Sequence, residues 1–252
     1  MLYTLTSLKI NSFTTLQHNA DHVHVAFSSP QRTTSTAILN GGLTHTDHIL
    51  NLKVPSSLNT DEESSATYKS SSSIYKSPSN IYEAPDISLQ NYANAQGWQG
   101  KVVGMMTAAS MNSLRIEQTN IEGVDLAVIV TTGLGNARRA GDKADVQELL
   151  AETKEIGTIN LILICSAKLT DAAMLEAIML ATEAKAAALQ DAGILSPVSN
   201  QIATGTGTDS IAIVSGNGPE EIAFCGKHVL LGEWIGRLVI DAVGSSIAGE
   251  FQ

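Results

Sequence analysis

The segment Ala203-Thr204-Gly205-Thr206-Gly207-Thr208-Asp209 alternates glycine with hydroxyls and ends on a carboxylate. Glycine-rich backbone leaves N–H groups able to surround an oxyanion or an amide oxygen, and a carboxylate at the mouth of such a loop suits a base or a ligand anchor. A strand-like run, SIAIVSGN, follows it instead of a helix, and no Gly-Lys-Ser/Thr is present, so this is not a phosphate-binding P-loop. Asp209 is therefore a candidate base, and the backbone of Gly205, Thr206, Gly207 and Thr208 a candidate oxyanion cradle. The plain alternative is a tight turn.

Three further groups bear on chemistry. In GLGNARRAGD, at 133–142, glycines hold Asn136 and Asp142 as candidate ligand contacts, while Arg138 and Arg139 read equally as surface charges; the spacing is wrong for a dinucleotide fingerprint. The Ala-rich stretch 170–191 carries Glu183 and Lys185, which at helical spacing point about 200° apart. One reading has Lys185 snorkelling and Glu183 at an edge; the sharper one brings Glu183 into a polar site. Among the histidines, His22 and His24 share one strand face and, lacking a third metal ligand nearby, read as solvent-exposed. His48 and Asn51 share a face if their segment is helical, and His228 opens the last helix beside Lys227. No GxSxG or HExxH is present, and Thr107 sits where a strand ends, a place from which a hydroxyl can be presented.

Those residues must be positioned by elements that the hydrophobic pattern foretells. Alternation in HVHVAF gives an early strand. THTDHILNLKV reads as a short helix capped by Thr44 or Thr46, and KVVGMMTAAS as a strand running into a turn. LRIEQTNIEGVDLAVIVTT gives two strands joined at Glu122-Gly123. TINLILICSAK is apolar on both faces, as a central buried strand must be. Thr170 and Asp171 cap a helix that runs to Asp191 and stops at Gly193, and GKHVLLGEWIGRLVIDAVGSSIAGE gives a final helix. Strands outnumber helices and several are joined by short turns, so the expected class is α+β: a sandwich of largely antiparallel or mixed β-sheet with packed helices. The chain reads as a single domain, 1–252, with a flexible Ser-rich insertion at 56–85 that lacks any periodicity.

Composition narrows the function classes. Hydrophobic residues make up 43% and charged ones 16% of the 252, with a formal net charge of −10, which disfavours a nucleic-acid partner. Aromatics are only 4%, so the core must come from Ala, Ile, Leu and Val. Cys165 and Cys225 lie in apolar runs and read as buried free thiols of a reducing compartment. The beginning MLYTLTSLKI has no signal-peptide pattern, and no apolar run approaches the ~18 residues of a membrane span. The expectation is a cytoplasmic protein with no membrane partner, for which a homo-oligomer is neither required nor forbidden.

The motifs NGGL with HILNLKV, TTGLGNARRAGD, GTINLILICSAKLT, TEAKAAALQDAGI, ATGTGTDSIAI and GKHVLLGEWIG resemble, in their number and order, the adenosylcobinamide amidohydrolase family of corrinoid salvage. The resemblance runs from about residue 34 to 240, omits the Ser-rich insertion and is strongest after residue 102. It implies hydrolysis of the amide joining the aminopropanol arm to the corrin propionate, giving adenosylcobyric acid and aminopropanol. Such a reaction needs an activated nucleophile, oxyanion donors and an acid for the leaving amine. Asp209 or Glu183 would then serve as base, His228 or His48 as acid or base, and the backbone of 205–208 as oxyanion donors. Asn40, Asn51, Asn136 and Arg139 would hold the amide-rich corrin rim, where Asn offers both donor and acceptor. The substrate is a small-molecule corrinoid that brings its own cobalt, so no protein metal or cofactor is implied. The competing class is a non-catalytic corrinoid carrier or sensor, which needs no carboxylate and histidine converging on one point.

Overall fold

A computed structural model describes residues 6–54, 75–76, 82–145, 157–219 and 221–250. In chain order the strands are β1 (Thr6–Lys9), β2 (Thr14–His18), β3 (His22–Ser35), β4 (Gly42–Lys53), β5 (Tyr75–Lys76) and β6 (Tyr82–Glu83), followed by helix α1 (Pro85–Ala95). Next come β7 (Val102–Thr107), β8 (Arg115–Ile121), β9 (Val124–Thr132), β10 (Ala137–Arg138), β11 (Ile159–Cys165) and β12 (Lys168–Leu169), then α2 (Asp171–Asp191). The last part holds β13 (Gly205–Thr206), β14 (Ser210–Ser215), β15 (Glu221–Ile222) and α3 (Leu230–Glu250).

Nine strands form one mixed sheet, ordered β1-β2-β3-β14-β11-β9-β8, with β4 on β3 and β7 on β4. Most pairings are antiparallel; β11 with β14 and β4 with β7 are parallel. The fold is α+β, as the alternation and turn signals required. β3 is long enough to serve two neighbours in succession. Its first half pairs β2, and its last residues, Arg32 to Ser35, pair β14. A register shift between Ala26 and Gln31 marks where it bends, and an irregularity of this kind is how a sheet turns back on itself.

The bend gives the sheet two leaves packed face to face. Val23, Val25, Ile49, Val103 and Met105 from one leaf meet Ala127, Ile129, Ile162, Ile164, Ala212 and Val214 from the other in one buried cluster. On the far face of the second leaf, Leu161, Leu163, Val128 and Ile213 pack under α2 and α3. α1 covers the outer face of β4 and β7 through Leu89 and Ala93. β11 is apolar on both faces because successive residues enter two different cores: Leu161 and Leu163 face the helices, Ile162 and Ile164 the opposite leaf.

Local rules account for α2. The Thr170 side chain accepts from the Ala173 N–H at its start, Ala192 closes its last turn, and Gly193 follows at positive φ. Both cysteines are free and buried, and burial pushes their thiols up, Cys165 to about 11 and Cys225 to about 12, which leaves them unreactive as nucleophiles.

Three expectations are corrected. THTDHILNLKV is strand β4, not a helix: Ile49 and Asn51 face one core while His48, Leu50 and Leu52 face the other, and two-sided burial overrides the Thr cap signal. His22 and His24 are not exposed but buried, at 3% and 4% exposure, because the 96–100 turn and α1 lie over them. His228 precedes α3, which begins at Leu230. Of the insertion expected at 56–85, most lies outside the described residues.

Candidate active site

Along the inner faces of the leaves the apolar stripe gives way to polar residues at one end of four strands. On β11 the stripe reads Ile164, Ile162, Asn160; on β9 Ala127, Ile129, Thr131; on β4 Ile49, Asn51; on β7 Val103, Met105, Thr107. Strand direction and register bring these ends together. Asn160 lies opposite Thr131 and Asn51 opposite Met105. The result is a buried polar cluster: Asn51, Thr107, Thr131 and Asn160 are each at most 3% exposed.

Hydrogen bonds tie the cluster across the leaves. Asn160 Nδ2 donates to Asn51 Oδ1 at 2.8 Å and to the Met106 carbonyl at 2.8 Å. Asn51 Nδ2 donates to Thr131 Oγ1 at 2.8 Å. Among the described residues Asn160 Oδ1 is buried with no partner, and so is Asn136 Oδ1 in the adjoining loop. An unpaired buried carbonyl costs about 1–3 kcal/mol, so both oxygens favour an added N–H or O–H donor.

Two loops wall this end. The 133–142 and 203–209 segments pair through β10 and β13, and a Cβ added at Gly207 would stand 3.2 Å from Asn136 Nδ2. Thr208 Oγ1 donates to the Gly157 carbonyl at 3.0 Å and lies 2.7 Å from Thr158 Oγ1. Asp209 closes the loop from beneath. Its carboxylate accepts from the Ile159 N–H at 2.9 Å, the Thr206 N–H at 3.0 Å, the Thr206 hydroxyl and the Lys185 ammonium. Lys185 does not snorkel: it is 5% exposed, turned inward from α2 onto Asp209.

The structure therefore brings together Asn51, Asn136, Asp209 and the loop of Gly205, Thr206, Gly207 and Thr208. The other residues singled out lie elsewhere. Glu183 sits on the opposite side of α2 from Lys185, half exposed and paired with Lys227. His228 is exposed on the segment before α3. Asn40 is an exposed turn residue at φ 53° whose side chain donates to the Val102 carbonyl. Arg139 is exposed, donating to the Ile202 carbonyl from the outer end of the loop pair. Asn160, Thr131 and Lys185 belong to the cluster without having been singled out as site residues. Asn160 carried a signal, as the one polar side chain inside an otherwise apolar strand.

His48 belongs to a second buried group on the outer face of the first leaf. Its Nε2 faces the Gln99 carbonyl at 2.9 Å and so carries the proton; its Nδ1 then accepts from His24 Nε2 at 3.1 Å. Among the described residues His24 Nδ1 is left a buried acceptor without a partner, with the ring stacked on Trp98. Burial, aided by the neighbouring His48 and His22 rings, pushes His24 from 6.5 down to about 3. The native state thus keeps His24 neutral where the unfolded chain is protonated. Its contribution is whole above pH ~6.5 and is lost as pH falls toward 3, at about 1.4 kcal/mol per unit. The melting temperature of the unmodified protein should fall more between pH 6.5 and 4.5 than that of His24→Gln, measured by circular dichroism. Equal slopes for the two would remove His24 as the cause.

Among the described residues, no group of three or more His, Cys, Asp or Glu could hold a metal ion, and no helix is long and apolar enough to cross a membrane. The concave surfaces lined by Asn11, Asp125 and Asn217 lie at the opposite end of the sheet from the polar cluster.

The model of the adenosylcobinamide amidohydrolase family matches residues 5–251. An adenosylcobinamide amidohydrolase of Methanosarcina mazei is 28% identical over 223 residues, 84% of this chain and 89% of that protein. An uncharacterized protein of Methanocaldococcus jannaschii is 37% identical over 149 residues, 54% of this chain, and the match spans only 58% of that relative's length. Among solved structures, a Pyrococcus horikoshii OT3 protein aligns over 98% of this chain and 82% of its own at 10% identity and a TM-score of 0.42, too loose a likeness to bear on function. With the family model spanning nearly every residue, the chain belongs to the adenosylcobinamide amidohydrolase family.

Proposed function

We propose that this chain hydrolyses the amide linking the aminopropanol arm to a corrin propionate of adenosylcobinamide, giving adenosylcobyric acid and aminopropanol. Water adds to the amide carbonyl, the C–N bond breaks, and the amine leaves with a proton. The family match over residues 5–251 carries this reading, and the chemistry of the buried cluster supports it. A corrin rim and the scissile bond both present amides. The unpaired oxygens of Asn136 and Asn160 ask for amide N–H donors, while the glycine–threonine loop offers backbone donors for an amide oxygen.

In this reading Asn51, Asn136, Asn160 and Thr131 bind and orient amide groups, and the Gly207–Thr208 backbone, beyond the Thr206 N–H that Asp209 holds, faces the developing oxyanion. Asn40 and Arg139, which lie outside the cluster, contact the far edge of the substrate. Asn40→Ala and Arg139→Ala should therefore raise KM with kcat within about threefold, since losing a contact made equally in the ground and transition states moves KM alone. A tenfold fall in kcat for either would bring it into the reacting centre.

One observation favours the carrier alternative. The ionisable groups hydrogen-bonded into the loop beside the cluster, among the described residues, are Lys185 and Asp209, and they are already paired with each other. Incubation of the purified protein with adenosylcobinamide, followed by mass analysis, separates the two readings. Release of aminopropanol with adenosylcobyric acid is the expected result; retention of intact adenosylcobinamide on the protein without release would establish the carrier.

A further inference from the structure

A buried ammonium on an alanine-rich helix is a costly feature beside the site. Lys185 lies among Ala181, Ala184, Ala188 and Leu189 on the inward side of α2. Moving a charge out of water into such surroundings is unfavourable by several kcal/mol unless it is well paired, and replacing a buried pair with apolar residues often stabilises a protein. Stability alone does not explain Lys185. Its ammonium is paired with Asp209 Oδ2, and Asp209 spends its remaining acceptor capacity on the Thr206 N–H, the Thr206 hydroxyl and the Ile159 N–H.

Those donors are the two backbones that must stay in register for the site to exist. Thr206 is in the glycine–threonine loop, and Ile159 immediately precedes Asn160 on β11. The fit is tight around the pair: a Cβ at Gly205 would fall 2.9 Å from Lys185 Nζ and closer still to Asp209 Oδ2. Glycine at 205 is thus required by the ion pair itself, not by backbone flexibility.

We propose that Lys185 is a positioning residue for the hydrolytic site: acting through Asp209, it holds the 204–209 loop against the first residues of β11, fixing the loop relative to Asn160. The proposal rests on the hydrolase reading for its effect on rate, but its structural half is independent of that reading. Lys185 touches no reacting atom. A charge-paired carboxylate with four donors is a rigid strut, whereas a loop freed to shift by an ångström loses about 10²-fold in rate from misplacement alone.

The test uses the full chain with Lys185→Met, Lys185→Arg and the double variant Lys185→Met/Asp209→Asn. Lys185→Met leaves Asp209 buried and unpaired and is expected to melt lower; the double variant removes both charges and should recover most of that loss, so folding and positioning are read separately. Two readouts follow, at a temperature where circular dichroism shows each protein folded. In hydrogen exchange, the Thr206 and Ile159 amides should exchange at least tenfold faster in Lys185→Met and in the double variant, with β8 and β9 unchanged, and Lys185→Arg should restore protection. In turnover of adenosylcobinamide, Lys185→Met and the double variant should lose about 10²-fold in kcat with KM within threefold, and Lys185→Arg should regain most of the rate. Unchanged exchange at both amides, or normal kcat in the folded double variant, overturns the proposal. If the unmodified protein releases no aminopropanol, the hydrolase reading fails, and the exchange data still decide whether Lys185 anchors the loop.

Discussion

Asn160→Leu should abolish most turnover of adenosylcobinamide, by about 10²-fold or more, while costing about 2 kcal/mol of stability. Leucine matches the strand and nearly matches the volume, so β11 should form. What is lost is the donor to the buried Asn51 Oδ1 and to the part-buried Met106 carbonyl, and a buried orphan costs about 1–3 kcal/mol. The removal of the unpaired Asn160 Oδ1 offsets part of that cost. Under the proposed function the rate falls further than stability, because the same amide orients Asn51 and would present its acceptor to substrate, and losing one oriented polar group at a reacting centre typically costs about 10²–10³. Asn51→Leu should behave alike, since Asn51 is held by Asn160 on one side and holds Thr131 on the other. The double variant should cost less in stability than the two single losses added, by about 1 kcal/mol, because each single change already breaks their shared bond. Chemical denaturation of the four proteins measures that coupling, and steady-state kinetics measures the rate. Additive stabilities, or a rate within threefold of normal for Asn160→Leu, would take Asn160 out of the site.

The outcome turns on a residue that periodicity both reveals and conceals. TINLILIC is legible as a central strand because it is apolar on both faces, and the structure puts it between two cores. Reading it as uniformly buried, however, passes over Asn160, the position where the inner stripe turns polar. The same change occurs at Asn51, Thr107 and Thr131 on three other strands, yet only pairing and register show that these ends coincide. The glycine–threonine loop was legible from composition. Its carboxylate was legible too, but not its saturation by four donors, which depends on a lysine 24 residues earlier. Lys185 illustrates the limit most plainly: on an Ala-rich helix, sequence shows that Lys185 and Glu183 point apart, but not which of them goes inward. At β4 a Thr cap signal and an i, i+3 pair compete with a two-residue alternation, and tertiary burial on both faces decides for the strand.

Gly232→Ala should destabilise the protein even though it lies in the first turn of α3, where alanine is normally the better helix former by about 1 kcal/mol. A Cβ at this position would stand 2.5 Å from the Cys225 carbonyl oxygen and closer still to that of Gly226. These are backbone atoms, so no side-chain rotation relieves the collision; the helix or the 225–229 segment must move. Overpacking of this kind costs about 1–3 kcal/mol and occasionally more, which outweighs the gain in helix propensity and leaves a net loss of about 2 kcal/mol. The neighbouring position gives the control. Gly236, one turn further on, has nothing within 4 Å of an added Cβ, so Gly236→Ala should raise stability by up to ~1 kcal/mol through propensity alone. The pair also tests the reach of the 225–229 segment, since the Cys225 N–H donates to the Glu176 carboxylate on α2 and Lys227 pairs Glu183 there. If that segment yields to the methyl group added in Gly232→Ala, protection from hydrogen exchange should drop at the Cys225 amide while the Thr206 amide, held by Asp209 on the other side of α2, stays protected. Equal melting temperatures for the two alanine variants would show that α3 meets the segment less closely than the structure places it.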